Sequence, residues 1–280
     1  MMLKDKNSKL ETRNSKLITG RDNSLLRRAR AVRDGKLNNL IFVEGLRLCE
    51  EALKSELRIE AVIYTDHILR KDRAAKSIER LAAAAETSAT VSEKLLESVS
   101  CTKTPQGVVV LAVRPANDEE SFAAKQTKSP LLVVLHEINN PVNVGAIIRT
   151  AEAAGATGII ATANTADPFS PKALRGAMGS AFRLPIWSGP SFAAAVAWCR
   201  SRKIQTIAAD SSGSAVHRDV DWRKSSAIIV GRESTGLSPD EVAATDASVR
   251  IPMQGAAESL NVAVATGIIL FEAARQRAPN

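Results

Sequence analysis

The sequence predicts an α/β protein in two parts, the second built on a mostly parallel sheet with helices on both faces. Leu131–Leu135 and Ala227–Val230 are apolar throughout, the pattern of strands buried on both sides. Strand-like and helix-like stretches alternate through the second half of the chain, as a parallel sheet with helical crossovers requires. A polar stretch, residues 114–129, separates this half from a smaller α/β half and is expected to be a linker. The 280 residues suffice for two ordinary domains.

Taken in order, residues 1–20 are polar, poor in large apolar groups and expected to form a basic flexible tail. The first domain is expected over 21–113. Its first helix starts at Ser24, a favourable cap, and runs to Arg33. Leu40–Val43 is a strand, and Glu44 and Gly45 lead into a helix over Leu46–Ser55. There Leu46, Leu48, Cys49, Ala52 and Leu53 share one face. A strand at Ile59–Tyr64, a helix at Lys76–Ala85, a short strand at Thr90–Val91, a helix at Glu93–Ser98 and a strand at Val108–Val113 complete it. In the second domain, 130–280, strands are predicted at Leu131–Leu135, Gly158–Ala161, Leu184–Trp187, Gln205–Ala209, Ala227–Val230 and Ser248–Ile251. Helices are predicted at Val144–Ala154, Pro171–Met178, Ser191–Ser201, Pro239–Ala244 and Glu258–Arg275. There is no internal repeat.

Charge is unevenly placed. Residues 1–33 hold ten basic and three acidic side chains, so this short stretch carries nearly all of the net charge of +8. A basic arm beside a nearly neutral body suits a nucleic-acid partner, and equally a solubilising tail. Aromatic residues are only 4%, which argues against a base-stacking platform rich in Phe and Tyr. Cys49, Cys101 and Cys199 are far apart, and so are His67, His136 and His217, so no metal site and no disulfide framework is expected. No apolar run is long enough to span a bilayer and the N-terminus lacks a signal-peptide core, so a cytoplasmic protein with no membrane partner is expected.

Three stretches carry candidate chemistry. In Asn139–Ala151, Asn143 is a reasonable helix cap, Gly145 permits close approach, and Arg149, one turn further on, could hold a phosphate or order a ribose. In Ala227–Ser238 a buried strand runs into Gly231 and Gly236. The Lys-Ser/Thr of a phosphate loop is missing and there is no GxGxxG, which disfavours ordinary nucleotide sites. Gly231 could let a flat adenine or ribose lie against backbone, and Glu233 could accept hydrogen bonds from neighbouring loops or from Arg149. In Ile251–Glu272 a strand end crosses a polar loop with Glu258, Ser259 and Asn261 into a strongly apolar helix. Singly, each has a structural explanation: a solvated Arg, a strand-end turn, a core helix.

Together, Asn143-x-Gly145-Ala-Ile-x-Arg149-Thr-Ala, Val230-Gly-x-Glu233-x-x-Gly236-Leu-Ser and Ile251-Pro-Met followed by Ser259-Leu-Asn-Val262 resemble the SpoU (TrmH) family of RNA ribose methyltransferases, in the SPOUT superfamily. The resemblance spans Leu131 to about Arg275. Phe42–Ala52 and Thr104-Pro-Gln-Gly107 resemble that family's ribosomal-protein-like RNA-binding domain, over residues 24–113. The resemblance implies a C-terminal α/β trefoil-knot domain, a homodimer formed through it, and S-adenosylmethionine held through Gly231, Ile251 and Leu260. It implies catalytic roles for Arg149, Asn143, Glu233, Ser259 and Asn261: Arg149 at an RNA phosphate and the developing alkoxide, Asn143 orienting the ribose, Glu233 positioning Arg149 or nearby loops, Ser259 and Asn261 holding the knot loop and the reacting groups. A guanidinium stays protonated, so Arg149 is expected to act electrostatically rather than as a free base. One departure is Ala177, where many relatives carry Ser.

The implied activity is methyl transfer from S-adenosylmethionine to a ribose 2′-hydroxyl in structured RNA, ribosomal RNA favoured over transfer RNA. The alternatives are a transfer-RNA 2′-O-methyltransferase and a non-catalytic knotted RNA-binding or ribosome-assembly protein. The Arg149 and Ser259-Leu-Asn261 motifs disfavour a knotted base methyltransferase.

Overall fold

The computed structural model of the protein describes residues 15–278, and the chain divides into two compact units between Val113 and Arg114. The first unit runs β1 (Ser15–Ile18), α1 (Ser24–Arg33), β2 (Leu40–Glu44), α2 (Leu46–Lys54), β3 (Ile59–Thr65), α3 (Asp72–Ala84), β4 (Thr87–Val91), α4 (Glu93–Val99) and β5 (Val108–Val113). Its five strands lie in the order β1-β4-β3-β5-β2, with β5 antiparallel to both neighbours. Leu26, Phe42, Ile63, Leu96 and Leu111 belong to its core.

The tail expectation is corrected for Ser15–Ile18. This segment pairs parallel to β4, buries Ile18, and hydrogen-bonds Ser15 Oγ to Tyr64 Oη at 2.6 Å and to Ser88 Oγ at 2.8 Å. A four-residue strand with one apolar anchor leaves little mark in a polar sequence. Residues 1–14 of the basic arm lie outside the described residues. Asn23, not Ser24, caps α1, and α3 starts four residues before the expected Lys76, after a 3-10 turn at Asp66–Arg70.

The second unit runs α5 (Glu119–Ala123), β6 (Leu131–Leu135), α6 (Pro141–Ala153), β7 (Gly158–Ala161), α7 (Pro171–Ala177), α8 (Ser180–Arg183), β8 (Ile186–Ser188), α9 (Phe192–Ser201), β9 (Gln205–Ala209), β10 (Ala215–Val216), β11 (Ser226–Val230), α10 (Pro239–Ala243), β12 (Ala247–Arg250) and α11 (Val262–Arg277). Seven parallel strands lie in the order β10-β12-β9-β11-β6-β7-β8. This is the α/β architecture the sequence predicts.

Residues 114–129 are not a bare linker. They carry α5, capped by Asp118, and Phe122 on it is 1% exposed. Its ring centroid lies 5.3 Å from that of Trp198 and 6.2 Å from that of Trp187. One aromatic anchor ties a polar stretch to the second unit. Asn140 caps α6, which begins at Pro141, so Asn143 lies inside the helix and its side chain is free for another role. The last helix begins at Val262 rather than Glu258, with Asn261 as its cap. Arg277 ties its far end to the strand starts, donating to the carbonyls of Trp222, Ser129, Pro130 and Lys224 at 2.5–3.2 Å. Among the described residues no helix is long and apolar enough to cross a membrane.

Candidate active site

The carboxyl ends of parallel strands leave a crevice in which α/β proteins bind ligands. Here a cavity of about 350 Å³ opens beyond the ends of β9, β11 and β12, within the usual size of a small-molecule site. Ala209, Gly231 and Ile251 border it on the strand side, and Leu260 and Val262 on the side of α11. A second cavity shares Glu233, Ser259, Leu260 and Val262 with the first and adds Asn139, Asn140, Asn143 and Asn261. The three motif stretches therefore meet, and seven of the eight site residues named from the sequence line one cavity or both.

Glu233 organises the second cavity. Its carboxylate accepts hydrogen bonds from the backbone N–H of Asn139 (3.2 Å) and Asn140 (3.0 Å) and from Asn143 Nδ2 (3.2 Å). Asn143 Oδ1 in turn accepts from Asn261 Nδ2 at 3.2 Å. Asn261 Oδ1 accepts from the N–H groups of Ala263 (2.9 Å) and Val264 (3.4 Å), closing the start of α11. The chain has one polarity: a carboxylate at one end fixes both amides, and a helix N-terminus receives the last oxygen. Burial raises the Glu233 carboxyl, but hydrogen bonds from backbone N–H groups, Asn140 first, outweigh it and hold the group below the usual carboxylate range. Of the two roles foreseen for Glu233, the structure shows the bracing of loops, not a contact with Arg149.

Arg149 is exposed on α6 and lines neither cavity; no hydrogen bond or ion pair joins its side chain to another described residue. Ser259 is exposed on the shared wall. Gly231 borders the first cavity, but its missing side chain serves the loop itself. A Cβ there would stand 2.6 Å from the Gly236 carbonyl carbon and 2.7 Å from Leu237 N. Gly145 likewise makes room for the backbone of α7, where a Cβ would collide with Ala173 O.

The sequence reading missed the cluster that carries the Gly231–Leu237 loop. Arg232 donates through Nε to Glu137 (2.6 Å), and through Nη1 and Nη2 to Glu241 (3.0 and 2.9 Å). Buried His136 places Nε2 2.8 Å from Glu241 and Nδ1 3.0 Å from Thr162 Oγ1. Ser238 and Glu241 also form a capping box on α10. The Ser238-Pro-Asp-Glu241 spacing was the available signal. The hydrogen bonds from Arg232, with those from Ser238 and His136, bring the Glu241 carboxyl down to about 2 against burial. An unfolded Glu titrates near 4.3, so the clamp stabilises fully above that pH and is lost as pH falls toward about 2. Acid unfolding followed by circular dichroism should therefore show a stability loss over that window, diminished in Glu241→Gln.

The fixed charges of the first cavity are Asp210, Glu233 and Glu258 against Arg232, whose charge Glu137 and Glu241 already take up. An acidic, partly apolar cleft repels phosphate and favours a cationic ligand such as a sulfonium.

Comparison with known proteins decides the family. The profile of the SpoU rRNA Methylase family matches residues 130–271, half of the chain. The chain belongs to the SpoU rRNA methylase family. An MRM3-like substrate binding domain profile matches residues 26–110 of the same SpoU protein. It is 30% identical over 235 residues to the 23S rRNA (guanosine(2553)-2′-O)-methyltransferase RlmP of Bacillus subtilis, covering 83% of this chain and 88% of that one. The AdoMet-bound rRNA methyltransferase of Sinorhizobium meliloti matches with TM-score 0.82 and 31% identity, over 95% of this chain and 99% of that one. The SpoU methyltransferase AviRb of Streptomyces viridochromogenes, in complex with AdoMet, matches with TM-score 0.82 and 28% identity, over 91% and 98%. This SpoU protein is a methyltransferase whose cofactor is S-adenosylmethionine, and the acidic cleft at the strand ends fits that cation.

Proposed function

We propose that the protein transfers a methyl group from S-adenosylmethionine to a ribose 2′-hydroxyl of ribosomal RNA in the cytoplasm. The observation that carries this is the Glu233–Asn143–Asn261 chain, which puts polar groups suited to a ribose beside the cofactor cleft. The relatives named above as 23S rRNA and rRNA methyltransferases support the choice of RNA. The cofactor supplies an already electrophilic methyl group; the chain must supply alignment and a better nucleophile. Gly231, Ile251 and Leu260 hold the cofactor. Asn143 and Ser259 orient the ribose, and Asn261 fixes Asn143. Arg149 stabilises the alkoxide that develops as the hydroxyl proton passes to solvent water. Residues 21–113 bind the RNA, and the 251–261 loop closes the trefoil knot that the motif resemblance implies.

In this reading Arg149 reaches the site from a second copy of the chain. Arg149 lies outside both cavities, and α6 packs against α11, where Gly267 approaches Thr150. The outer face of α11 shows Val264, Ile268 and Phe271, which are 53%, 37% and 55% exposed. Their spacing is one helical stripe, and such a stripe is a contact surface. Phe271→Glu should convert a dimer to a monomer in sedimentation velocity and abolish methyl transfer; an unchanged sedimentation coefficient would contradict the dimer.

The substrate class is tested by incubating the protein with labelled S-adenosylmethionine and, separately, deproteinised ribosomal RNA and transfer RNA. Label should enter ribosomal RNA. Label in transfer RNA alone would select the transfer-RNA reading, and no label in either would select the non-catalytic one.

A further inference from the structure

A third cavity, of about 510 Å³, lies wholly within the first unit, where the ends of β2 and β3 meet the start of β5. Buried Ile68 and Leu96, with half-buried Leu46, give it an apolar floor. Exposed Gln106, Glu97 and Lys71 stand around it from three different segments.

Its walls are built rather than incidental. Gly107 has φ +86°, and a Cβ there would come 3.0 Å from Ile68 Cβ and 3.1 Å from Thr65 Oγ1, so only glycine lets this loop lie on that wall. Upstream, the loop is held by Glu44, a carboxylate 6% exposed at the end of β2. Glu44 accepts from Cys101 N (3.0 Å), Cys101 Sγ (2.6 Å), Thr102 Oγ1 (2.6 Å) and Ser100 Oγ. A buried carboxylate this fully satisfied presets the segment that leads to Gln106.

The lining selects its ligand. Carboxylates of Glu93 and Glu97 oppose an anion in the cavity, so it is not a phosphate pocket. Small flat rings with N–H edges fit: the floor takes the ring face, the Gln106 amide offers a donor and an acceptor, and the Glu97 carboxylate accepts from ring or amino N–H groups. Lys71 can meet the phosphate of the same nucleotide. Sequence-reading of RNA falls mainly on unstacked bases displaying such edges.

We propose that this cavity binds an unpaired nucleobase of the RNA substrate, held by its edge through Gln106 and Glu97 and by its phosphate through Lys71. This rests on the reading that the protein acts on RNA, and assigns the first unit a base-reading rather than a purely electrostatic role.

The test uses the full chain, deproteinised ribosomal RNA and three variants of exposed side chains, Gln106→Ala, Glu97→Gln and Lys71→Ala. Each should weaken RNA binding about tenfold, the loss of one such contact. The salt slope should fall by about one for Lys71→Ala and stay unchanged for the other two. S-adenosylmethionine affinity should not move, because the cofactor cleft is lined by residues of the second unit alone. RNA substituted with 4-thiouridine should cross-link to residues 65–71, 93–97 or 104–107 of the wild type. RNA affinity within twofold of wild type for all three variants, or cross-links confined to other segments, would overturn the site while wild-type methylation leaves the enzyme reading intact. A wild type that neither binds nor methylates ribosomal RNA would overturn both.

Discussion

Arg149→Ala should lower kcat for methyl transfer by about 10²–10³-fold, the usual cost of removing one group that stabilises developing negative charge. The Arg149 side chain braces nothing in the protomer, being exposed and without a hydrogen-bond or ion-pair partner among the described residues. The melting temperature and S-adenosylmethionine affinity should therefore stay at wild-type values, and single-turnover kinetics with calorimetry separates these quantities. Arg149→Lys should restore little, because an ammonium lacks the planar fork that can meet phosphate and alkoxide together. A base mechanism would instead tie the rate to a titration that a guanidinium does not undergo in the accessible pH range.

Glu233→Ala should lower kcat/KM by about 10²-fold, the scale on which small misplacements near the reacting atoms are felt. The carboxylate holds Asn139 N, Asn140 N and Asn143 Nδ2 together, and through Asn143 it fixes Asn261 at the start of α11. Glu233→Gln keeps one acceptor oxygen and should fall between wild type and Ala. The Glu233 carboxyl is held below the usual range, so the brace is intact above the unfolded carboxylate pKa near 4.3 and fails as pH falls through the folded value. Mixed dimers sharpen both predictions. If Arg149 acts across the interface and Glu233 within its own protomer, random mixing of Arg149→Ala with Glu233→Ala should restore about a quarter of wild-type sites. No recovery in verified heterodimers would place Arg149 and Glu233 on the same chain.

The α/β class was legible because Leu131–Leu135 and Ala227–Val230 are unbroken apolar strands, and their pairing in one parallel sheet follows. The three motif stretches converge because each sits at or near a strand end. What escaped the sequence has physical reasons. A single Phe122 ties α5 to the second unit, and one aromatic carries no period. Proline at N1 moved the start of α6 back to Pro141, which turned Asn143 from a cap into a link between Glu233 and Asn261. The Arg232–Glu137–Glu241–His136 cluster joins residues up to 105 positions apart, and no local pattern announces such a meeting. Arg149 was expected on a helix and lies on α6, but its absence from the lining of both cavities required coordinates to see.

The most direct measurement is the chemical position of the methyl group. Ribosomal RNA labelled by the protein from methyl-labelled S-adenosylmethionine should be digested with alkali and resolved by nucleotide. A 2′-O-methyl group blocks cleavage of the adjoining phosphodiester, so label is expected in alkali-resistant dinucleotides with wild type, and about 10²–10³-fold less of it at equal early times with Arg149→Ala. Label recovered in single nucleotides, on the base, would contradict it.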